Sequence, residues 1–366
     1  MKKLLLFLSI MLFCIISGFP QANFNTGVLI VDVNEYGEIE LYTPDETMQL
    51  DRASILVGTS PITVFDYKKD AEQLEPTVLI TNPELSDHEI YGAYDNTYSN
   101  DPPDVIVKLN AYGWNNGGYT IVKFNIMNNE ESAINALAGL DIIPYLNEVY
   151  GFDTVTYNST EEVIRFHRGA DVNMGIKLLS ASLLSLYSFE WYDEYYVDAD
   201  YWNWMNMGTL QPSHVTYTGE GTVTITSQEA FALNPGESFD VYYALALGTD
   251  EQAMLSNISA AVQKYQSWFA GVGDHGVSVS AFSLKQNYPN PFNQSTMIRY
   301  QLPENGFVSL TVYDVVGNEV ATLINSEQTQ GSYIVHYDAK DLNSGMYYYT
   351  LRYNDQVKTN KMFMVK

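Results

Sequence analysis

The stretch Asn287-Tyr288-Pro289-Asn290-Pro291-Phe292-Asn293 decides how the last part of this chain begins to fold. Pro289 and Pro291 fix their own φ angles and push the residues before them towards extended geometry. A regular helix cannot run through such a segment, so we expect a stiff, extended start. We therefore expect the residues from here to Lys366 to form β-strands.

Short alternating strands follow this start. The period-2 pattern of a half-buried strand recurs at 308–312, 333–337 and 347–351. Asp314 and Gly317 take the first and last places of a four-residue turn, where Asp caps the backbone and Gly is favoured. Residues 307–323 are thus predicted to form a hairpin. Six or seven such strands predict a small Ig-like β-sandwich.

The order of the marked residues in this region resembles the type A C-terminal sorting domain of the type IX secretion system. The residues that carry the sorting motif are Pro289, Asn290, Pro291, Phe292, Asn293, Gly317, Gly345 and Lys361. The resemblance spans residues 282–366 only. It implies that type IX secretion machinery recognises this tail, and that the protein is secreted or displayed on the outer surface of a Gram-negative bacterium. The rest of the chain resembles no family that we can name.

The N-terminus agrees with export. Lys2 and Lys3 precede an uncharged, apolar run of 13 residues from Leu4 to Ile16. Small residues follow, so we interpret 1–22 as a secretory signal peptide. Thirteen residues are too few for a membrane-spanning helix, which needs about 20, and no other run predicts a membrane span. Cys14, the only cysteine, lies inside this run, so the mature chain is expected to have no disulfide or thiol chemistry.

Acidic residues dominate the body, which we place at 23–270. The chain holds 18 Lys and Arg against 44 Asp and Glu, and residues 282–366 hold seven of each. Without Lys2 and Lys3, nine basic and 37 acidic residues remain between the signal peptide and the tail, a balance of −28, and all but one of them lie in the body. Such a charge repels phosphate backbones and anionic lipid surfaces, which argues against nucleic-acid or membrane-surface partners. It favours solubility outside the cell, with calcium as the alternative partner of clustered carboxylates.

The sequence of the body shows one strand pattern after another, which predicts an all-β fold. We expect either one large β-sandwich or two packed ones. Strands are predicted at 122–126, 163–167, 222–226 and 239–247. The last is apolar on both faces, which indicates a central position. A turn is predicted at 234–237, where Pro presets φ and Gly supplies a positive φ.

One amphipathic helix is predicted after these strands. Thr249 stands at its N-cap, Gln252 completes a capping box, and Gly271 ends it. Its apolar stripe at helical period must be covered, so we expect the helix to pack on the body. The stripe consists of Met254, Ile258, Ala261, Val262, Tyr265, Trp268 and Phe269. Residues 271–281, rich in Gly, Ser and Val, are predicted to link body and tail.

Two stretches of the body are candidate sites. In the loop after Tyr94, Asp95, Asp101 and Asp104 supply oxygens that suit calcium, although the glycine and closing Glu of a helix-loop-helix calcium loop are absent. The second stretch mixes aromatic rings with carboxylates, as sugar-binding surfaces do. Its candidate ligand residues are Trp191, Tyr192, Asp193, Tyr195, Tyr196, Asp198, Trp202 and Trp204. The competing interpretation is a strand whose alternate aromatics fill the core.

No short catalytic motif stands out: paired metal-binding His, a nucleophile elbow and a phosphate-binding Gly loop are all missing from the sequence. We therefore predict a secreted or surface-displayed, non-enzymatic β-sandwich that is adhesive or binds extracellular polysaccharide, with no catalytic residue assigned. The alternative is a secreted, glycosidase-like hydrolase that uses carboxylates within 190–200, since glycosidases need only two placed carboxylates. A third interpretation is an accessory module for activities on other chains.

Overall fold

The computed structural model describes residues 21–366, except 170–171, 193–194, 270–281, 285, 288–289, 294, 330 and 341. Most of the predicted signal peptide and the whole predicted linker lie outside the described residues, as do Asp193, Glu194 and Pro289. Antiparallel strands dominate the described part. Its helices are Asp198–Met205 (α1), Glu251–Trp268 (α2) and a short 3-10 turn at Leu146–Glu148. Neither α-helix there is long and apolar enough to cross a membrane.

The first body sheet has nine antiparallel strands. They are Ala22–Asn25 (β1), Ile30–Val33 (β2), Ile39–Tyr42 (β3), Met48–Ser60 (β4), Thr63–Phe65 (β5), Ile134–Pro144 (β10), Leu183–Glu190 (β14), Thr222–Gln228 (β16) and Phe231–Leu233 (β17). The order is β1-β2-β3-β4-β10-β16-β14, with β5 beside β4 and β17 beside β10.

The second body sheet also has nine antiparallel strands. They are Glu72–Leu79 (β6), His88–Asp95 (β7), Val105–Gly113 (β8), Tyr119–Asn128 (β9), Thr154–Asn158 (β11), Val163–His167 (β12), Asn173–Leu178 (β13), Ser213–Val215 (β15) and Ser238–Gly248 (β18). The order is β15-β11-β12-β13-β18-β9-β8-β7-β6. The strand predicted at 239–247 is indeed central, between β13 and β9.

The two sheets pack face to face around one core. Ala53, Ile55 and Val57 of β4 share that core with Phe124 and Ile126 of β9. Because side chains alternate along a strand, every second residue of these strands points the other way. The all-β sandwich is confirmed, and it is one sandwich of two large sheets.

A helix covers the outer face of each sheet. Met254, Ile258, Ala261 and Trp268 of α2 are buried against β9 and β18, which confirms the predicted stripe. The predicted cap was wrong by one residue: Asp250, and not Thr249, accepts a hydrogen bond from the N–H of Ala253 at 2.8 Å.

Helix α1 was not predicted. Six of its eight residues, namely two Asp, three aromatic residues and one Asn, have weak helix propensity. Tyr201 and Met205 lie one turn apart and are both buried against the first sheet with Leu56, Val223 and Ile225. The strand interpretation of this stretch is therefore wrong over 198–205, because packing onto the sheet overrides weak local propensity.

Strands in the tail pair with one another in two sheets. They are Ser283–Leu284 (β19), Ser295–Leu302 (β20), Gly306–Tyr313 (β21), Glu319–Gln328 (β22), Gly331–Asp338 (β23), Gly345–Tyr353 (β24) and Gln356–Met364 (β25). The orders are β19-β20-β23 and β22-β21-β24-β25. The predicted hairpin is confirmed: the Gly317 N–H donates to the Asp314 carbonyl at 3.1 Å, and Gly317 has a φ of +92°.

Candidate functional site

A buried ion pair lies on the outer face of the first sheet. Arg52 of β4 and Asp141 of β10 lie diagonally opposite each other on adjacent strands, and Arg52 Nη2 lies 2.9 Å from Asp141 Oδ2. Both side chains are almost fully buried. A charge at this depth is stable only when it is paired and hydrogen-bonded, so the surroundings of this pair must supply further partners.

Three tyrosines supply those partners. The hydroxyls of Tyr195 and Tyr201 donate to Asp141 Oδ2 at 2.9 and 2.8 Å. Arg52 Nη1 donates to the Tyr67 hydroxyl at 2.7 Å, and Arg52 Nη2 also contacts the Tyr195 hydroxyl. Burial raises the pKa of Asp141, and the Arg52 guanidinium opposes that shift. These hydrogen bonds hold the Arg52 guanidinium and the Tyr195 ring in one position.

A tight turn after β5 carries Tyr67 and brings two lysine side chains to the same place. Asp66 Oδ1 accepts the backbone N–H groups of Lys68 and Lys69, each at 2.9 Å. This turn aims Tyr67 at Arg52, while Lys69 makes an ion pair with Asp198, the first residue of α1. Lys68 is left at the surface, with its Nζ 4.1 Å from the centre of the Tyr196 ring.

These groups border a cavity of about 360 Å³, which we call the Trp191 cavity. It is lined by Asp51, Arg52, Lys68, Ile143, Tyr150, Trp191, Tyr195, Gly219 and Glu220. The loop at 219–221 is tied to the backbone of Trp191, whose main-chain N–H donates to the Gly221 carbonyl at 3.0 Å. The cavity therefore combines aromatic walls with both signs of charge, and its size falls within the range of about 300–1,000 Å³ that is usual for small-molecule sites.

The predicted aromatic stretch divides between this cavity and the packing around it. Trp191 and Tyr195 line the cavity, whereas Tyr192 is 45% exposed and packs against Phe189. The rings of Trp204 and Phe189 have centroids 4.4 Å apart.

Two more of these residues serve the attachment of α1. The Trp202 ring lies over Gly58, where an added Cβ would come within 3.2 Å of it. Asp198 is held by Lys69 and by the Val64 N–H. Both residues therefore fix α1 to the sheet, and neither borders the cavity.

Burial also raises the pKa of the Glu38 carboxyl group, which lies near Arg52. Glu38 Oε2 accepts a hydrogen bond from Asn34 Nδ2 at 2.7 Å. Desolvation raises the pKa of Glu38 from 4.5 to about 7, Arg52 opposes the shift, and Asp51 and Glu40 add to it. The folded state therefore binds a proton at pH values between about 4.5 and 7 where the unfolded chain does not.

This shift predicts a pH dependence of stability. Because the folded-state pKa of Glu38 is raised, we expect the free energy of unfolding to fall as the pH rises from about 4.5 to about 7. Glu38→Gln should flatten that slope, and the exposed Glu131→Gln should leave it unchanged. Urea unfolding followed by Trp fluorescence measures it, since all five Trp residues belong to the body. An identical slope in Glu38→Gln and the natural chain would contradict the assignment.

A second, wider cavity of about 920 Å³ lies at the open edge of the sandwich. Its walls are mainly apolar or small, including Leu183, Leu210, Phe231 and Phe239, and Glu229 is the charged residue among them. Few groups there could orient a polar ligand, so the Trp191 cavity is the better candidate.

The predicted calcium residues serve the loop that joins β7 and β8. Asp95 Oδ1 accepts from the backbone and hydroxyl of Thr97, and both Asp104 oxygens accept from Asn129 Nδ2 at 3.0 Å. Asp101 accepts a hydrogen bond from Asn96 through its backbone carbonyl. In the described ranges, no group of three or more His, Cys, Asp or Glu is placed to hold a metal ion. Calcium binding here stays a prediction.

The sorting-motif residues mostly fasten the start of the tail to its last strand. The Phe292 N–H donates to the Phe363 carbonyl at 2.9 Å, and the Phe292 side chain is buried. Asn290 Oδ1 accepts from the Phe363 N–H, and its Nδ2 lies 3.5 Å from the Lys361 carbonyl. Pro291 follows a cis peptide bond, and Asn293 is exposed. Gly345 begins β24 and pairs with Met364.

Sequence reasoning missed Arg52, Lys68, Asp141, Tyr150 and Glu220. One signal was available for Asp141: it is a single charge inside the apolar run Leu137–Pro144, and a buried charge needs a partner. A signal was also present for Arg52, because it is one of only nine basic residues in the body. Lys68, Tyr150 and Glu220 lie in polar loops and carry no comparable signal.

Residues 286–366 match the family model described as the secretion system C-terminal sorting domain. The resemblance predicted for the tail is thereby confirmed, and the tail directs export to the cell surface or beyond it through type IX secretion machinery. No curated protein matches the chain at a significant level.

Solved structures are similar to parts of the chain. A bacterial glucoamylase complexed with acarbose has a TM-score of 0.50 and 12% identity, over 67% of this chain and 34% of that chain. A galactose mutarotase-like protein from Lactobacillus casei has a TM-score of 0.36 and 8% identity, over 62% of this chain and all of that one. A polysaccharide lyase has a TM-score of 0.34 and 10% identity, over 91% and 45%. The chain thus spans about a third of the glucoamylase, and at such identity the likeness shows the fold alone.

Proposed function

We propose that the exported body binds a saccharide in the Trp191 cavity and does not itself cleave it. The observation that carries this proposal is the convergence, in one cavity, of the Trp191, Tyr195 and Tyr150 rings with Asp51, Arg52, Lys68 and Glu220. A pyranose offers apolar C–H faces to rings and hydroxyl groups to charged acceptors and donors. Apolar walls with a few fixed polar groups are what small-molecule sites use.

Rigidity supports this proposal. Tyr195 is 2% exposed and its hydroxyl is held by Asp141, and Trp191 is tied to the Gly221 loop. Burial raises the pKa of the Tyr150 phenol, and the neighbouring Asp51 carboxylate adds to that shift. A site whose side chains are already fixed loses little conformational entropy when a ligand binds. The fold that this chain shares with a glucoamylase complexed with acarbose is compatible with such a ligand.

The test is retention on carbohydrate. Mature protein is run through affinity gels that contain starch, cellulose derivatives, xylan, pectin, alginate or mannan. We expect retention on at least one of them, and Trp191→Ala should weaken it at least tenfold, or about 1.4 kcal/mol, because the ring that covers the sugar face is lost. Trp114→Ala removes a ring of the same kind that packs near α2, on the other side of the body, and should leave retention unchanged. Equal retention of both variants would overturn the assignment of the cavity.

The hydrolase alternative has one observation in its favour, since Asp51 and Glu220 border the same cavity. Of the carboxylates predicted for it, Asp198 is engaged by Lys69, and Asp193 and Glu194 lie outside the described residues. Release of reducing sugar from any of these polysaccharides, abolished by Asp51→Asn or Glu220→Gln, would replace the binding proposal with hydrolysis.

A further inference from the structure

A third cavity adjoins the Trp191 cavity, with which it shares Lys68. It has a volume of about 240 Å³ and is lined by Tyr36, Tyr67, Lys68, Ala71 and Tyr98. We call it the Tyr98 cavity. Three of its five lining residues are tyrosines, and two of these stand out into solvent: Tyr98 is 68% exposed and Tyr36 is 38% exposed. Tyrosine rings exposed beside a concave surface offer apolar faces against which a ligand can pack.

Lys68 borders both cavities. The ridge between them is formed by Arg52 on one side and Tyr67 on the other, joined by a 2.7 Å hydrogen bond and by the guanidinium lying 4.8 Å from the centre of the Tyr67 ring. The two cavities therefore lie next to each other, with one lysine ammonium at the boundary. Its three N–H donors can reach hydroxyl groups on either side.

Hydrogen bonds hold the lining of the Tyr98 cavity in place. Tyr36 sits in the β2–β3 turn, where its N–H donates to Asn34 Oδ1 at 2.9 Å. Tyr98 sits in the β7–β8 loop, closed by the Asn100 N–H donating to the Asn96 carbonyl at 2.8 Å. Next to Tyr98, the Ser99 side chain interacts with the Asp70 carboxyl of the turn that carries Lys68. Two hairpin ends and the turn that joins β5 to β6 thus converge on one cavity.

We infer that the two cavities together hold consecutive units of one oligosaccharide, with the Tyr98 cavity as the second subsite and Lys68 at the junction. This inference rests on the proposed saccharide binding at the Trp191 cavity. It adds that the ligand is a chain of at least two sugar units, and that the exposed Tyr98 and Tyr36 rings cover the second. The β7–β8 loop, which in sequence resembled an ion-binding loop, acts here by presenting Tyr98.

Calorimetric titration with sugars of increasing length tests this inference. The probes are malto-, cello-, xylo- and galacturono-oligosaccharides of one to six units, titrated into the full mature protein. For at least one series we expect the affinity to rise tenfold or more from one unit to three or four. Tyr98→Ala should abolish that rise without changing the affinity for a single unit. Tyr98→Phe keeps the ring and should behave as the natural chain does, while Trp191→Ala should weaken every length.

The outcomes separate the two proposals. If no series binds, this inference fails, and the proposed function fails with it when none of the polysaccharide gels retains the protein. If sugars bind with an affinity that is independent of length, or if Tyr98→Ala leaves the length dependence intact, the single-site proposal stands and the second subsite is overturned. Because Tyr98 is 68% exposed, its replacement should not unfold the body, and an unchanged near-UV circular dichroism spectrum checks this.

Discussion

Asp141→Ala is expected to lower the free energy of unfolding of the body by about 3–5 kcal/mol. The substitution leaves the Arg52 guanidinium buried beside Tyr67 and Tyr195 with no carboxylate to balance it. It also removes the acceptor of the Tyr195 and Tyr201 hydroxyls. Urea unfolding at neutral pH, followed by Trp fluorescence, measures the change in the body, because residues 282–366 contain no Trp.

A double substitution provides the control for this experiment. Arg52→Met combined with Asp141→Leu removes both charges, so no buried charge is left uncompensated, and replacing a buried pair by apolar residues is often nearly neutral. We expect the double variant to be more stable than Asp141→Ala. A double variant as unstable as the single one, or a single loss below about 1 kcal/mol, would show that the pair does not act as a unit.

Removal of the tail is expected to abolish export. A chain that ends near Ser280 lacks all of 286–366, the part that matches the sorting domain, so we expect it to stay in the periplasm while the full chain leaves the cell. Immunoblots of periplasm, cell surface and medium from a host with type IX secretion measure this. The periplasmic protein should show the same Trp fluorescence as the full chain, which separates failed export from failed folding.

Two comparisons make the export experiment sharper. The full-length chain with Trp114→Ala should be exported as usual, because it is altered only in the body. In a host without type IX machinery, the full-length and truncated proteins should both remain in the periplasm. Equal amounts of truncated and full-length protein outside the cell would contradict the sorting assignment, whatever the structure of the tail.

Most of the β-architecture follows from the sequence, because alternation is a local property. The strands at 163–167, 222–226 and 239–247 and the 307–323 hairpin were predicted from side-chain period and turn residues alone, and each lies within or beside a strand of the structure. Burial on both faces of β18 was predicted from its apolar run at 241–247. Period alone could not show that α1 is a helix, because an eight-residue segment made mostly of weak helix formers takes that form only where the sheet beneath it buries Tyr201 and Met205.

Only part of the candidate site could be predicted from the sequence. Trp191 and Tyr195 drew attention because aromatic residues crowd their segment, and the structure places both on the cavity. The same crowding also singled out Trp202 and Trp204, which pack against the sheet instead. Composition cannot separate the two outcomes, since a ring that fills a core and a ring that faces a ligand are chemically identical.

By itself, the sequence determined the export route, the acidic character of the body and the all-β class, since each depends on motif order, charge or local period. Only the tertiary structure decided the site. Arg52 and Asp141 lie 89 positions apart and Arg52 and Tyr195 lie 143 apart, and they meet because β4 and β10 pair in one register and the segment after β14 folds back over them. A shift of one residue in that register would turn these side chains to the opposite face. The contacts depend on the packing of the whole sandwich, which no short stretch of sequence encodes.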